Sequence, residues 1–144
     1  MKNEISSALV LGAAIITALI VVSCDTPTRT PTPPQHYGLE IALLNEVTRD
    51  APIGQNLYLS GHFYNPAGEK QRGAKVNFVL EPSNLATITP YATTEPDSVR
   101  GFSTAVTFTG RDVGVVLIYA YVNDGAGLEV AHDTLYVNVI RWNG

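Results

Sequence analysis

Cysteine is nearly absent from this chain of 144 residues, which contains only Cys24. A single cysteine cannot form an intrachain disulfide, although small secreted domains often depend on such cross-links. Residues 37–144 are numerous enough for one domain with one hydrophobic core. We therefore expect that domain to be held together by packing alone, or with help from a partner.

Charged residues are also scarce, at 15% of the chain, and the formal net charge is −4. Nucleic-acid binding needs clustered Lys and Arg side chains that neutralise phosphates. The only local basic cluster is Lys70, Arg72 and Lys75, beside a predicted turn. A solvated turn explains that cluster, so we expect no nucleic-acid partner.

Motifs that carry catalytic or metal chemistry are missing. His36, His62 and His132 show no metal-binding spacing, and no Gly-x-Ser-x-Gly motif or phosphate-binding loop occurs. Asp133 follows His132 on a predicted strand, where neighbouring side chains point to opposite faces and cannot share a site. Asp124 lies in Asn-Asp-Gly, which is typical turn chemistry. The sequence thus predicts no metal, no cofactor and no enzyme.

One long apolar run is present, Ile5–Val22, with 18 residues and no charge. As a helix it would be about 27 Å long, close to the hydrocarbon thickness of a bilayer. We assign residues 1–23 to a signal peptide or to a retained membrane or filament helix. Either fate places the rest of the chain outside the cytoplasm, at the cell envelope.

Two resemblances correspond to these two fates. Val21-Val22-Ser23-Cys24 resembles a bacterial lipobox, which implies a diacylglyceryl group on the Cys24 thiol and cleavage before Cys24. The segment 5–14 resembles the N-terminal helix of archaeal pilin-like filament subunits, which implies that the helix is retained. In that case Ile5, Leu9, Ile16 and Leu19 are the candidate assembly residues.

A Thr/Pro-rich segment follows at residues 24–36, with four prolines between Asp25 and His36. Such composition favours extended polyproline II at about 3.1 Å per residue. The segment is therefore predicted to be a tether that reaches about 40 Å and holds the next domain away from the membrane surface.

Residues 37–144 show period-two hydrophobicity interrupted by turn residues, which is typical of strands. About seven strands with no helix predict an all-β fold, a β-sandwich. The predicted strands are Leu39–Val47, Asn56–Tyr64, Ala74–Leu80, Ala86–Tyr91, Phe102–Thr109, Val115–Asn123 and Leu128–Ile140.

Two segments resemble bacterial and archaeal Ig-like domains of the invasin/intimin group. Residues 114–122, Gly-Val-Val-Leu-Ile-Tyr-Ala-Tyr-Val, are similar to the family strand G-x-V-x-I-x-A-x-V, and residues 61–78 resemble its Gly-rich hairpin. The resemblance implies an Ig-like sandwich with no shared catalytic residues. Members of the group occur in adhesins, filament subunits, S-layer proteins and extracellular accessory modules.

Alternation assigns the side chains of the last two strands to faces. Val116, Ile118, Ala120 and Val122 should point inward, as should Leu135, Val137 and Val139. The outward side chains should then form one outer patch, since Ig-like topology makes these strands neighbours. The outer patch consists of Leu117, Tyr119, Tyr121, Tyr136 and Ile140.

An exposed aromatic cluster on a sheet is ordinary surface in many proteins, and it is also what the centre of an interface looks like. We therefore expect a non-enzymatic envelope protein that works in adhesion, scaffolding or assembly. The first hypothesis is a lipoprotein that binds a protein or glycan at the cell surface. The alternative is a structural subunit of a filament or membrane complex that contacts copies of itself, and a third is a carbohydrate-directed accessory module.

Overall fold

The computed structural model of the chain describes residues 36–44 and 46–144. The apolar segment 1–23, Cys24 and the tether as far as residue 35 lie outside the described residues, as do the candidate assembly positions Ile5, Leu9, Ile16 and Leu19. Within the described ranges, no helix has the length and hydropathy needed to cross a membrane.

The described part of the chain is all-β and contains no helix. Nine strands follow one another along it. They are β1 (Gly38–Leu43), β2 (Asp50–Pro52), β3 (Asn56–Tyr64), β4 (Lys75–Glu81), β5 (Ala86–Ile88), β6 (Tyr91–Thr93), β7 (Val106–Gly110), β8 (Gly114–Asn123) and β9 (Glu129–Ile140).

The strands form two sheets. The four-stranded sheet has the order β1-β3-β7-β5, and the five-stranded sheet has the order β2-β9-β8-β4-β6. Every pairing is antiparallel except that of β2 with β9, which is parallel. The longest ladder joins β8 to β9 and includes an irregularity between Val122 and Asn123.

Alternate residues of both sheets contribute to one buried core, because successive side chains of a strand point to opposite faces. Leu57, Leu59 and Phe108 represent the four-stranded sheet in that core, and Val76 and Ile118 represent the five-stranded sheet. Two sheets that share one core are consistent with a β-sandwich.

Four of the predicted strands are confirmed to within one residue. They are β3, β4, β8 and β9, which are the longest runs of period-two hydrophobicity. The predicted inward set of the last two strands is also confirmed, since all seven of those side chains are buried. Long alternation therefore predicted both the position and the orientation of these strands.

The first predicted strand, Leu39–Val47, was too long. β1 ends at Leu43, and the chain then crosses to the other sheet, where Asp50 pairs with Asn138. A backbone hydrogen bond from Asn138 N to Arg49 O of 2.8 Å marks the entry into this second pairing. The three-residue strand β2 was missed because its pairing depends on a strand almost ninety residues later.

The predicted strand Ala86–Tyr91 is in fact two strands of different sheets. β5 pairs with β7, and β6 pairs with β4. Thr89 and Pro90 separate them, and the sheet change at this point fits a proline, which cannot donate to a ladder. The chain therefore passes from one sheet to the other within this short segment.

Two further predictions were wrong. The strand predicted to start at Phe102 begins at Val106; Phe102 makes only an isolated bridge with Thr94 and is 1% exposed. The predicted hairpin over residues 61–78 is not a hairpin, because β3 and β4 belong to different sheets. The turn at Asn65–Gly68 is present, with a hydrogen bond of 2.9 Å from Gly68 N to Asn65 O.

Candidate binding face

The outer patch lies on the solvent side of the five-stranded sheet. Leu117 on β8 is directly opposite Tyr136 on β9, and the Tyr119 and Tyr121 rings are 5.8 Å apart. Ile140 lies beside Pro52 of β2, one residue beyond the end of β8. The structure therefore brings four of the five residues together and places Ile140 at the end of the same face.

Three more apolar side chains extend this patch. Val115 on β8, Val79 on β4 and Tyr91 on β6 are 58%, 50% and 54% exposed. We call the outer patch together with these three residues the apolar face. Val79 and Val115 point outward because they follow and precede the buried Phe78 and Val116, whereas the place of Tyr91 depends on the change of sheet at Pro90.

A polar cluster lies at one end of the apolar face. The Tyr119 hydroxyl donates to the Glu129 carboxylate at 2.8 Å, and Glu129 Oε1 lies 2.7 Å from His132 Nδ1. The His132 ring also stacks on the Tyr119 ring, with centroids 5.5 Å apart. These contacts fix the Tyr119 side chain along the sheet rather than away from it.

The same cluster changes the acidity of Tyr119. Its hydrogen bond to Glu129 holds the proton on the phenol, and partial desolvation and the negative charge of Glu129 act in the same direction, so the pKa of Tyr119 is raised above 10.0. Tyr119 therefore remains a neutral hydrogen-bond donor throughout the physiological pH range.

The turn between β8 and β9 is built around Asp124. Its Oδ1 accepts hydrogen bonds from the backbone N–H groups of Ala126 and Leu128, at 2.9 Å each, and Asp124 N donates to Leu128 O. These bonds set the register in which Glu129 lies opposite Asn123. As the sequence indicated, Asp124 has the role of a turn residue.

The outer face of the four-stranded sheet is different in character. Small polar side chains, Ser60, Thr107 and Thr109, occupy its central strands. The Arg100 guanidinium lies over the Tyr58 ring, with its Cζ 5.7 Å from the ring centroid. The Tyr64 hydroxyl donates a hydrogen bond of 2.9 Å to Glu40 Oε2. Only one of the two outer faces is therefore dominated by valine, leucine and tyrosine.

The remaining sequence candidates are separated by the fold. His132 is on the solvent side, whereas the Asp133 carboxylate turns toward the other sheet and accepts a hydrogen bond from Ile41 N at 2.8 Å. The two residues are thus directed to opposite faces, as alternation predicted. In residues 36–44 and 46–144, no group of three or more His, Cys, Asp or Glu side chains is placed to hold a metal ion.

The basic cluster is dispersed and partly neutralised. Arg72 pairs with Glu95, at 2.5 Å, and with Asp97. Lys75 instead lies on the Tyr91 ring, with its Nζ 4.4 Å from the ring centroid. Lys75 therefore belongs to the edge of the apolar face.

Comparison with known proteins adds no family assignment, because no family model matches the chain and no curated protein matches it.

Proposed function

We propose that the β-sandwich is an Ig-like domain. The order β1-β3-β7-β5 corresponds to the A-B-E-D sheet of that fold, and β9-β8-β4 corresponds to G-F-C. β2 then takes the place of an A strand that leaves the first sheet and pairs in parallel with the last strand. The similarity of residues 114–122 to the family strand, together with the single cysteine of the chain, supports the bacterial and archaeal Ig-like group.

The domain works as a non-enzymatic binding module of the cell envelope. The observation that carries this proposal is the difference between the two outer faces. The five-stranded sheet has four large apolar side chains that are at least half exposed, whereas Tyr58 is the only exposed large apolar side chain among the described strands of the four-stranded sheet. The four are Val79, Tyr91, Val115 and Tyr136, and the half-buried Leu117, Tyr119 and Tyr121 lie among them. Such surfaces are typical of protein interfaces, in which aromatic residues are enriched. The partner is a protein or glycan at the cell surface, or another copy of the chain.

Anchoring to the membrane is the second part of the proposal. The lipobox-like residues 21–24 support a lipid on Cys24, and the Thr/Pro composition of residues 24–36 supports an extended spacer. The uncharged run of 18 residues favours the alternative function, in which a retained helix packs in the core of a filament or membrane complex.

The intact mass of the native chain separates the two anchoring schemes. A lipoprotein begins at a lipidated Cys24 and accumulates as an unprocessed precursor in the presence of globomycin, which blocks the lipoprotein signal peptidase. A native N-terminus at or before Ile5 would refute lipidation and support the filament subunit.

Substitution of two tyrosines tests the binding module. Replacement of Tyr119 and Tyr121 by serine in the full chain should weaken binding to envelope material of the producing cells by about tenfold or more, since interface tyrosines commonly contribute over 1 kcal/mol each. Tyr58→Ser, on the opposite sheet, is the control and should change binding little. Unchanged binding by the double variant, with a native circular dichroism spectrum, would mean that the apolar face is only surface.

A further inference from the structure

We propose that two copies of this chain pair through their apolar faces, related by a two-fold axis that runs parallel to the strands. The inference rests on the proposed function, because it names the occupant of the same face. Its distinctive support is the distribution of polar and charged groups along the two flanking strands, β4 and β9, which is complementary under this symmetry.

Residues that pair with each other across neighbouring strands lie at one level along the sheet. The register of β4, β8 and β9 places the polar and charged groups of β4 and β9 at the same levels. Val76 on β4 is level with Val122 on β8 and with Ala131 on β9. One step further along, Lys75 therefore reaches the level of Glu129, which pairs with Asn123 across the irregularity. Both side chains are on the solvent side, since Lys75 covers Tyr91 and Glu129 binds Tyr119.

A two-fold axis that lies between the two copies and runs parallel to β8 brings β4 of one copy opposite β9 of the other. Residues that are level with each other within one sheet then also face each other across the interface. Lys75 then faces Glu129 of the second copy twice in each pair. Along the same strands, Asn77 faces His132, Val79 faces Thr134, and Glu81 faces Tyr136, because these residues share levels with Tyr121, Tyr119 and Leu117. Each contact joins opposite charges, a hydrogen-bond donor with an acceptor, or two uncharged groups.

The other two-fold arrangement, with its axis across the strands, is less favourable. It would reverse the order of levels and bring Glu129 of one copy to the far end of β9 of the other. At that end Asn138 Nδ2 donates a hydrogen bond of 3.0 Å to Asp50 Oδ1. Two carboxylates in that position would repel each other, which disfavours this arrangement. The distribution of charge thus selects the axis parallel to the strands.

The face is large enough for such a contact. The strands β9, β8, β4 and β6 contain 12, 10, 7 and 3 residues, and at about 4.8 Å by about 3.3 Å for each residue they give a surface of roughly 500 Å². Two such surfaces together bury roughly 1,000 Å², the least expected of a specific protein interface. The outward β8 side chains of the two copies, Val115, Leu117 and Tyr119, meet at the centre of the contact, and the Lys75–Glu129 contacts lie at its rim.

Charge exchange in the full chain tests the proposal. Two differently tagged forms of the chain are co-expressed, and co-purification of one tag with the other is measured. Lys75→Glu alone sets carboxylate against carboxylate at both rim contacts, and Glu129→Lys alone sets ammonium against ammonium. Each variant paired with itself should co-purify about tenfold less than the wild-type pair.

The decisive sample is the mixture of K75E with E129K. Both rim contacts of the mixed pair regain opposite charges, so co-purification should return to within about twofold of wild type. Lys70→Glu, beside Tyr64 on the other sheet, is the matched control and should pair normally. Because K75E leaves the Glu129 cluster intact, loss of pairing by K75E cannot be attributed to loss of the Tyr119 hydrogen bond.

The outcomes separate this inference from the function on which it rests. If neither substitution reduces co-purification, the inference is wrong and the copies pair elsewhere, for example through residues 5–22. A mixed pair as weak as the single variants also overturns it. If copies do not pair but envelope binding still requires Tyr119 and Tyr121, the binding face stands and its partner is a different molecule; if neither effect appears, both proposals fail.

Discussion

Gly101 illustrates how one residue allows a loop to pack directly against a strand. Its φ of +72° lies in the left-handed region, and an added Cβ would lie 1.9 Å from Gly61 O and 2.8 Å from the His62 ring. Gly61 N also donates to Arg100 O at 2.9 Å. The loop before Phe102 therefore rests directly on β3, and this contact positions the buried Phe102 ring.

Gly101→Ala should consequently destabilise the domain by about 3 kcal/mol, the sum of a strained dihedral and a backbone clash. Gly68→Ala is the matched control, since Gly68 has a φ of +82° and nothing within 4 Å of the added Cβ. We expect about 1 kcal/mol there, from dihedral strain alone. Urea denaturation followed by circular dichroism measures both, and equal losses would contradict the close approach at Gly101.

The described strands differ in how far the sequence alone could predict them. β8 and β9 were predicted to within one residue because their alternation persists over ten or more residues and Asp124-Gly125 marks the turn between them. β2, β5 and β6 have three residues each, too few for a period to show. Their pairing is decided by distant strands, so no local pattern indicates it.

This difference carries over to the binding face. Leu117, Tyr119 and Tyr136 could be placed on one surface because they lie on the long, regular strands. Tyr91 could not, because its side of the sandwich depends on the crossing at Pro90. The hydrogen bonds of Glu129 could not be predicted from the sequence either, because the irregularity between Val122 and Asn123 sets the position of Glu129 on the sheet.

At the scale of the whole molecule, one sandwich presents two dissimilar surfaces. The outer face of the four-stranded sheet carries serine and threonine, with Tyr58 beneath Arg100 and Tyr64 hydrogen-bonded to Glu40, as expected of a face that remains in water. The five-stranded sheet exposes side chains that would be stabilised by burial, at about 25 cal/mol for each Å² of apolar surface removed from water. The fold class and this face follow from the residues, whereas the anchor at Cys24 stays a prediction from the sequence.

Hydroxyl-radical footprinting of intact cells that carry the full chain tests the central claim most directly, with the dilute purified chain as reference. If the apolar face is a contact surface, oxidation of Tyr136 should fall several-fold on cells, while oxidation of Tyr58 on the opposite sheet stays unchanged. Both side chains are well exposed in the isolated domain, at 54% and 41%. Equal oxidation of Tyr136 on cells and in dilute solution would contradict the account.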